Sequence, residues 1–374
     1  METAQQLRDL DQGHDLFTIH GTHHVEFYVG NAKQAQYFYR RALGFRLVGY
    51  LGPETGVKDR ASYLLEQGKI RFVLTTPLTP DSLIAEHIFK HGDGVRDIAF
   101  HVSDAEEAYR MTTERGARGL QEPARYTDSD GTVVVATIAT YGDTVHSFVQ
   151  REEYHGFFLP NFVPREDGLA KSFGLKHVDH IVGNVDWNAM EETVNFYRNI
   201  FGFSRFVSFD DKDISTEYSA LRSTVVANEN RWIKFPINEP AEGLRKSQIE
   251  EYVQFYKGAG VQHVAMECED ILETVRKMRA NGVEFITVPD VYYDDLLDRV
   301  GEIQESIEEL RALNILVDRD DKGYMLQIFT KPVEDRPTLF FELIQRRGGE
   351  SFGKGNFKAL FEAIERDQAE RGNL

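Results

Sequence analysis

"LKHVDHIVGNV" (175–185) decides the fold, because a related string stands earlier in the chain. The stretch is a strand-like apolar run interrupted by His177, Asp179 and His180. Polar groups inside such a run cost free energy unless something pairs with them. Its earlier relative is "HHVEFYVGN" (23–31), and each copy leads into a helix-like segment, ending in "FYRRALGF" (38–45) and "FYRNIFGF" (196–203). Further on, "GVRDIAFHVSD" (94–104) parallels "GVQHVAMECED" (260–270), and "TVHSFVQR" (144–151) parallels "LFFELIQR" (339–346). Matches recurring in the same order imply an internal duplication. Two related domains follow, 15–155 and 172–348. The linker, 156–171, lies in the Pro- and Gly-bearing stretch that begins "HGFFLPNFVPREDG" (155–168), and a separate segment, 349–374, closes the chain. Each repeat reads as strand, helix and strands in βαβββ units. That predicts an α+β fold with helices outside a curved mixed sheet able to enclose a pocket.

The repeats differ where chemistry would sit. Aligning the "VGN" elements puts Phe27 opposite His180, the "GV" elements put Asp97 opposite His263, and the "QR" elements put Ser147 opposite Glu342. Two histidines and a carboxylate, with other positions open, are the ligand set of non-haem Fe(II) oxygenases. A lone histidine in a strand is more often a satisfied core residue. Here three candidate ligands fall on three strands at corresponding positions and are missing from the other copy. Strand alternation places His180 on one face with Val178 and Val182, and His177 and Asp179 on the opposite face in structural roles. Glu342 shares its face with Phe340, so an apolar ring should line the same cavity.

Composition narrows the field. The 374 residues include 43 basic and 61 acidic side chains, a net charge of −18, which argues against nucleic acid or anionic membrane as a partner. A single cysteine, Cys268, leaves no internal disulfide and no Cys-rich zinc site. The N-terminus lacks the basic-then-apolar pattern of a leader, and no run of apolar residues is long enough to span a bilayer. The expectation is a soluble cytoplasmic protein.

Several stretches then carry a closer likeness. "KHVDHIVGNV", "PINEP" (236–240), "KSQIEEYVQFY" (246–256), "GVQHVA" (260–265), "LQIFTKP" (326–332), "RPTLFFELIQR" (336–346) and "FGKGNFKALFEAIE" (352–365) together resemble the 4-hydroxyphenylpyruvate dioxygenase family. The resemblance implies two vicinal-oxygen-chelate domains, the first degenerate and the second holding Fe(II) through His180, His263 and Glu342. It implies Ser223, Asn238, Gln248, Gln262, Gln327, Phe329, Phe340, Phe352, Asn356 and Phe357 as substrate-binding residues. The amides of Asn238, Gln248 and Gln327 are assigned to catalysis as well. Gln262, next to His263 in a strand, should point away from the pocket and act from behind.

The bland readings stand beside these. Asn238 lies in a Pro-flanked turn. Ser247 and Glu250 form a capping box that would make Gln248 a first-turn helix residue. Asn356 reads as an N-cap, and Phe357, Leu360, Phe361 and Ile364 form the apolar stripe of a helix after the glycine-rich "GGESFGKGN" (348–356). As a gate, that helix would cover the pocket. The implied reaction takes 4-hydroxyphenylpyruvate and O2 to homogentisate and CO2 in tyrosine degradation, within a homo-oligomer (dimer or tetramer). The alternatives are a hydroxymandelate synthase acting on the same substrate and a non-catalytic metal-dependent binding protein of the same fold. A ring-cleaving catechol dioxygenase would want a basic site rather than these amides.

Overall fold

The computed structural model describes residues 13–166, 168, 171–210, 216 and 219–372. Residues 1–12, where the absence of a leader was read, lie outside the described residues, as do linker positions 167, 169 and 170 and the last two residues of the C-terminal segment.

Two sheets carry the chain. The first contains β1 (Ile19–Tyr28), β2 (Arg46–Leu51), β3 (Arg60–Gln67), β4 (Ile70–Pro77), β5 (Gly94–Val102), β6 (Gly119–Asp128), β7 (Gly131–Ala139), β8 (Val145–Gln150) and β9 (Val163–Pro164). The second contains β10 (Leu175–Asn184), β11 (Ser204–Phe209), β12 (Ala220–Ala227), β13 (Lys234–Ala241), β14 (Gly260–Cys268), β15 (Leu316–Arg319), β16 (Tyr324–Phe329) and β17 (Phe340–Arg347). Their orders are β6-β7-β8-β5-β1-β4-β3-β2-β9 and β11-β12-β13-β10-β14-β17-β16-β15. Read from opposite ends, the two orders match strand for strand, apart from the added β9. Each sheet is mixed, with β1 parallel to β4 and antiparallel to β5, and β10 parallel to β13 and antiparallel to β14. The strand β9 comes from the segment between the repeats and pairs with the edge strand β2, while Phe158 of the same segment is fully buried.

The largest buried cluster draws on both repeats, with Phe27, Phe72 and Phe100 from the first and Phe201, Phe235 and Phe341 from the second. Backbone bonds cross the boundary as well: His14 N–H donates to Gly202, Leu16 N–H to Phe201 and Lys69 N–H to Lys176. The domains therefore share a core rather than hang from a tether.

Strand register corrects one of the sequence pairings. Asp97 faces Glu26 across the β1/β5 pair, and His263 faces Val182 across β10/β14. Asp97 and His263 thus correspond, as do Ser147 and Glu342 through the parallel neighbours β8 and β17. His24, opposite Ala99, corresponds to His180, opposite Ala265. Phe27 instead matches Gly183, where any Cβ would run into the Tyr141 ring. The "VGN" strings are out of step by three residues. The degenerate repeat therefore retains a histidine at one ligand position, with Asp97 and Ser147 at the other two, and all three line a cavity in the first sheet.

The register also shows why alternation misplaces some neighbours. In β10, Val178 faces Met266 and His180 faces Ala265, so Asp179 is an extra residue bulged out of the pairing. In β14, His263 faces Val182 and Val261 faces Gly183, so Gln262 is bulged in the same way. Both bulges recur in the first repeat, at His23 and Arg96. A bulge shifts the inside/outside alternation by one residue. Val178 consequently packs against the main core, away from the cavity that His180 and Val182 line.

Candidate metal centre and substrate cavity

His180 on β10, His263 on β14 and Glu342 on β17 meet inside the second sheet because β10, β14 and β17 are adjacent. Their ligand atoms all lie within 4.8 Å of one another, and all three residues are buried. The Nε2 atoms of His180 and His263 approach the same oxygen, Oε2 of Glu342, at 3.1 and 3.2 Å. Each imidazole is held from behind by the bulged residue beside it. Asp179 Oδ1 is 2.7 Å from His180 Nδ1, and Gln262 Oε1 is 3.0 Å from His263 Nδ1. Both partners are acceptors, so each ring places a proton on Nδ1 and turns Nε2 toward the centre.

The electrostatics suit a cation. Burial alone would lower the His180 imidazole, but the Glu342 carboxylate and the bond to Asp179 outweigh it and hold its pKa above the usual value. For His263, burial wins over the help from Glu342 and the pKa falls. Burial would raise Glu342, but the two imidazoles bring it below the ordinary carboxylate value. Asp179 is buried too, and its bonds to Arg346 and His180 hold it well below that range. The Glu342 carboxylate bridges the two rings. A divalent cation would replace that bridge with three N and O donors already converged, which is the donor chemistry of a two-histidine, one-carboxylate site. A second group of possible ligands, His177, Asp179 and Glu267, lies on the far side of β10. There Lys176 pairs with Glu267, and Arg346 and Lys234 with Asp179, so cationic side chains already serve those carboxylates.

The cavity beside the triad is lined by Ser223, Asn238, Gln248, Gln262 and Gln327, and by Phe329, Phe340, Phe352 and Phe357. The Phe340 ring stacks on His263 at 4.8 Å, and Phe352 meets His180 edge-on at 5.2 Å. Gln248 opens the helix Gln248–Tyr256, where Ser247 accepts the Glu250 N–H as a cap, while Glu250 itself bonds Gln254. Asn238 Nδ2 donates to Asn184 at 3.3 Å. The helix Phe357–Glu370 closes the cavity with Phe357, Leu360, Phe361 and Ile364.

Three residues sit differently from the sequence reading, the first being Asn238, which lies within strand β13 and not in a turn. Gln262 does not point away, because the bulge turns it to the cavity side of β14. Asn356 does not line the cavity, and its side chain does not cap the helix. Fully buried, it accepts from the Tyr292 hydroxyl at 2.6 Å and donates to Gln327 Oε1 at 3.2 Å. Gln327 in turn donates to Glu342 at 3.4 Å, so a hydrogen-bonded row runs from Tyr292 to the triad carboxylate. Sequence reading missed Tyr292, which lies in a short helical turn with no motif around it. It also missed Arg346, visible only as the end of "LIQR", which binds Asp179 through two nitrogens at 2.7 and 2.9 Å.

Comparison with known proteins places this geometry. Residues 15–159 match a family model described as hydroxyphenylpyruvate dioxygenase, N-terminal, and residues 174–328 match the glyoxalase/bleomycin resistance protein/dioxygenase superfamily. Among curated relatives, the 4-hydroxyphenylpyruvate dioxygenase of Yarrowia lipolytica is 48% identical, covering 96% of this chain and 95% of that protein. That of Dictyostelium discoideum is also 48% identical, over 95% of this chain and the whole of the relative. The zebrafish (Danio rerio) enzyme is 48% identical over 94% of this chain and 91% of its own. Among solved structures, a triple mutant of 4-hydroxymandelate synthase from Streptomyces coelicolor superposes with a TM-score of 0.84 at 32% identity, covering 94% of this chain and 99% of the other.

Proposed function

The chain belongs to the 4-hydroxyphenylpyruvate dioxygenase family, and from that premise we propose how its own residues carry out the family's reaction. It converts 4-hydroxyphenylpyruvate and O2 to homogentisate and CO2, with a metal as cofactor. We assign that metal as Fe(II), held by His180, His263 and Glu342. The observation that carries the assignment is the convergence of two Nε2 atoms on one Glu342 oxygen with both Nδ1 atoms engaged by fixed acceptors. Bound there, Fe(II) would supply the redox chemistry that activates O2.

The protein's part is orientation and exclusion of water. The substrate carries its own 2-oxo acid, so no separate oxo-acid co-substrate is required. Phe329, Phe340, Phe352 and Phe357 give the ring apolar walls, and Leu360, Phe361 and Ile364 of the C-terminal helix seal them. Ser223, Asn238, Gln248, Gln262 and Gln327 offer neutral hydrogen-bonding groups to the phenol and the oxo acid. Neutral amides suit a phenol that stays protonated, whereas a catecholate would call for a cation among the cavity side chains. Decarboxylation, ring hydroxylation and side-chain migration all proceed with the ring held in one place. A loosely held ring would let an oxidising centre act on the wrong atom.

A cytoplasmic, homo-oligomeric enzyme of tyrosine degradation, with no nucleic acid or membrane partner, belongs to the same proposal. Among the described residues no helix is long and apolar enough to cross a membrane. The lone Cys268 is buried, and the exposed Leu83 and Phe89 of the helix Leu83–His91 offer an apolar surface to a second copy.

The test is product identification. Protein reconstituted with Fe(II) is given 4-hydroxyphenylpyruvate while O2 uptake is followed, and the product is identified by mass and retention. Homogentisate supports the proposal. Hydroxymandelate would assign the chain to the synthase that its fold also matches, and absence of O2 uptake would leave only a binding protein.

A further inference from the structure

Arg346 stands near the end of β17 (Phe340–Arg347), behind His180, and it connects three things. Through Nε and Nη2 it grips both oxygens of Asp179, whose Oδ1 in turn holds His180 Nδ1. Through Nη1 it donates to the carbonyls of Gly349 and Ser351 at 3.1 and 2.9 Å, at the start of the turn that leads into the C-terminal helix. Its guanidinium also lies over the Phe352 ring, 5.8 Å from the centroid, and that same ring packs edge-on against His180. Asp179 is buried and Arg346 largely so, which leaves the carboxylate dependent on this partner.

These contacts cannot be made piecemeal. Five donors in a rigid plane serve two partners at once only when both are in place. If the turn at 349–352 moves off, Nη1 loses two carbonyls, Phe352 leaves the guanidinium face, and the ring that packs against His180 departs with it. If His180 swings, Asp179 loses the bond that keeps it aligned for Arg346. We propose that Arg346 is a positioning residue that makes the seating of the C-terminal segment and the orientation of His180 one event. The inference rests on the reading that His180, His263 and Glu342 hold the metal. Its consequence is reciprocal: metal binding should tighten the helix over the cavity, and opening the helix should weaken the hold on metal. The metal site would then be fully organised only when the cavity is covered.

The same turn has a second anchor that allows a control. Asp320 Oδ2 accepts the N–H groups of Glu350 and Ser351 at 2.6 and 2.7 Å without touching Asp179 or His180. The experiment uses the full-length chain with Co(II) as an oxygen-stable probe. It measures Co(II) affinity, and it measures hydrogen exchange of residues 357–370 with and without Co(II). In the wild type, Co(II) should slow exchange in that helix. Arg346→Met should abolish the Co(II)-dependent difference and weaken Co(II) binding roughly 10–100-fold. Arg346→Lys, which keeps the charge but not the fork, should restore part of both. Asp320→Ala should speed exchange with and without metal yet keep the Co(II)-dependent difference. If Arg346→Met does not fold, Asp179→Asn, which keeps the shape but loses the charge, should show the same loss of coupling. The inference is overturned if Arg346→Met retains the wild-type difference, if Asp320→Ala loses it as completely, or if the wild type binds Co(II) with no change in exchange. A wild type that binds no Co(II) would bring down the metal assignment itself.

Discussion

The hydrogen-bonded row Tyr292–Asn356–Gln327–Glu342 allows a prediction with a worked magnitude. Asn356→Ala removes two bonds, one from the Tyr292 hydroxyl and one to Gln327 Oε1. The hydroxyl keeps a partner, since the Val317 carbonyl 3.0 Å away can take its one proton when Asn356 is gone. Gln327 Oε1 does not, and Gln327 is only 3% exposed. An orphaned buried acceptor costs ~1–3 kcal/mol and the lost Tyr292 bond about 1 kcal/mol, so the variant should be less stable by roughly 2–4 kcal/mol. Gln327→Ala should orphan Asn356 Nδ2 in the same way. The double variant breaks the shared bond only once, so its loss should fall short of the sum by about 1–2 kcal/mol. Urea unfolding of the four proteins measures this, and iron content should be unchanged because His180, His263 and Glu342 are all retained and the Gln327–Glu342 bond is long. Substrate KM should rise in both single variants as Gln327 loses its fixed rotamer. If the losses add to within ~0.5 kcal/mol, the Asn356–Gln327 bond carries no energy and the row is not a unit.

Three further outcomes are expected. His180→Ala or His263→Ala should remove most bound iron along with activity, by metal analysis after reconstitution, while full iron occupancy in either would refute the triad. Asp97 in the first repeat is pushed up to about 7, chiefly by burial and against the opposing bond from Ser147. A carboxyl raised in the fold stays protonated there while the unfolded chain ionises, so stability should fall as pH rises from about 4 to 7 and level off above. The loss is at most ~4 kcal/mol. Asp97→Asn should remove that slope without altering iron content, and parallel urea midpoints for the two proteins from pH 5 to pH 8 would contradict it. Finally, Phe352→Ala and Phe357→Ala should raise the ratio of O2 consumed to homogentisate formed, because a ring with room to move lets oxidation go astray. A ratio equal to the wild type in both would reduce the C-terminal helix to packing.

The sequence by itself determined the duplication, the sheet-and-helix units, the three triad residues and the apolar stripe from Phe357 to Ile364. The duplication, the units and the stripe are carried by local periods and by strings that repeat, and the triad by the motifs shared with the family, since the string comparison set Phe27 against His180 where His24 belongs. Which strand faces which, and in what step, was settled only by tertiary structure. The "VGN" strings match by eye but stand three residues out of register, so His24, not Phe27, occupies the place of His180. The bulges at Asp179 and Gln262 are invisible in the one-dimensional pattern, because a bulge is defined by two residues opposing one on a neighbouring strand. They turn Gln262 into the cavity and set an acceptor behind each imidazole. Arg346 and Tyr292 were illegible for the same reason. Their partners lie far along the chain, at Asp179 and Asn356, and no local pattern records a contact made by folding.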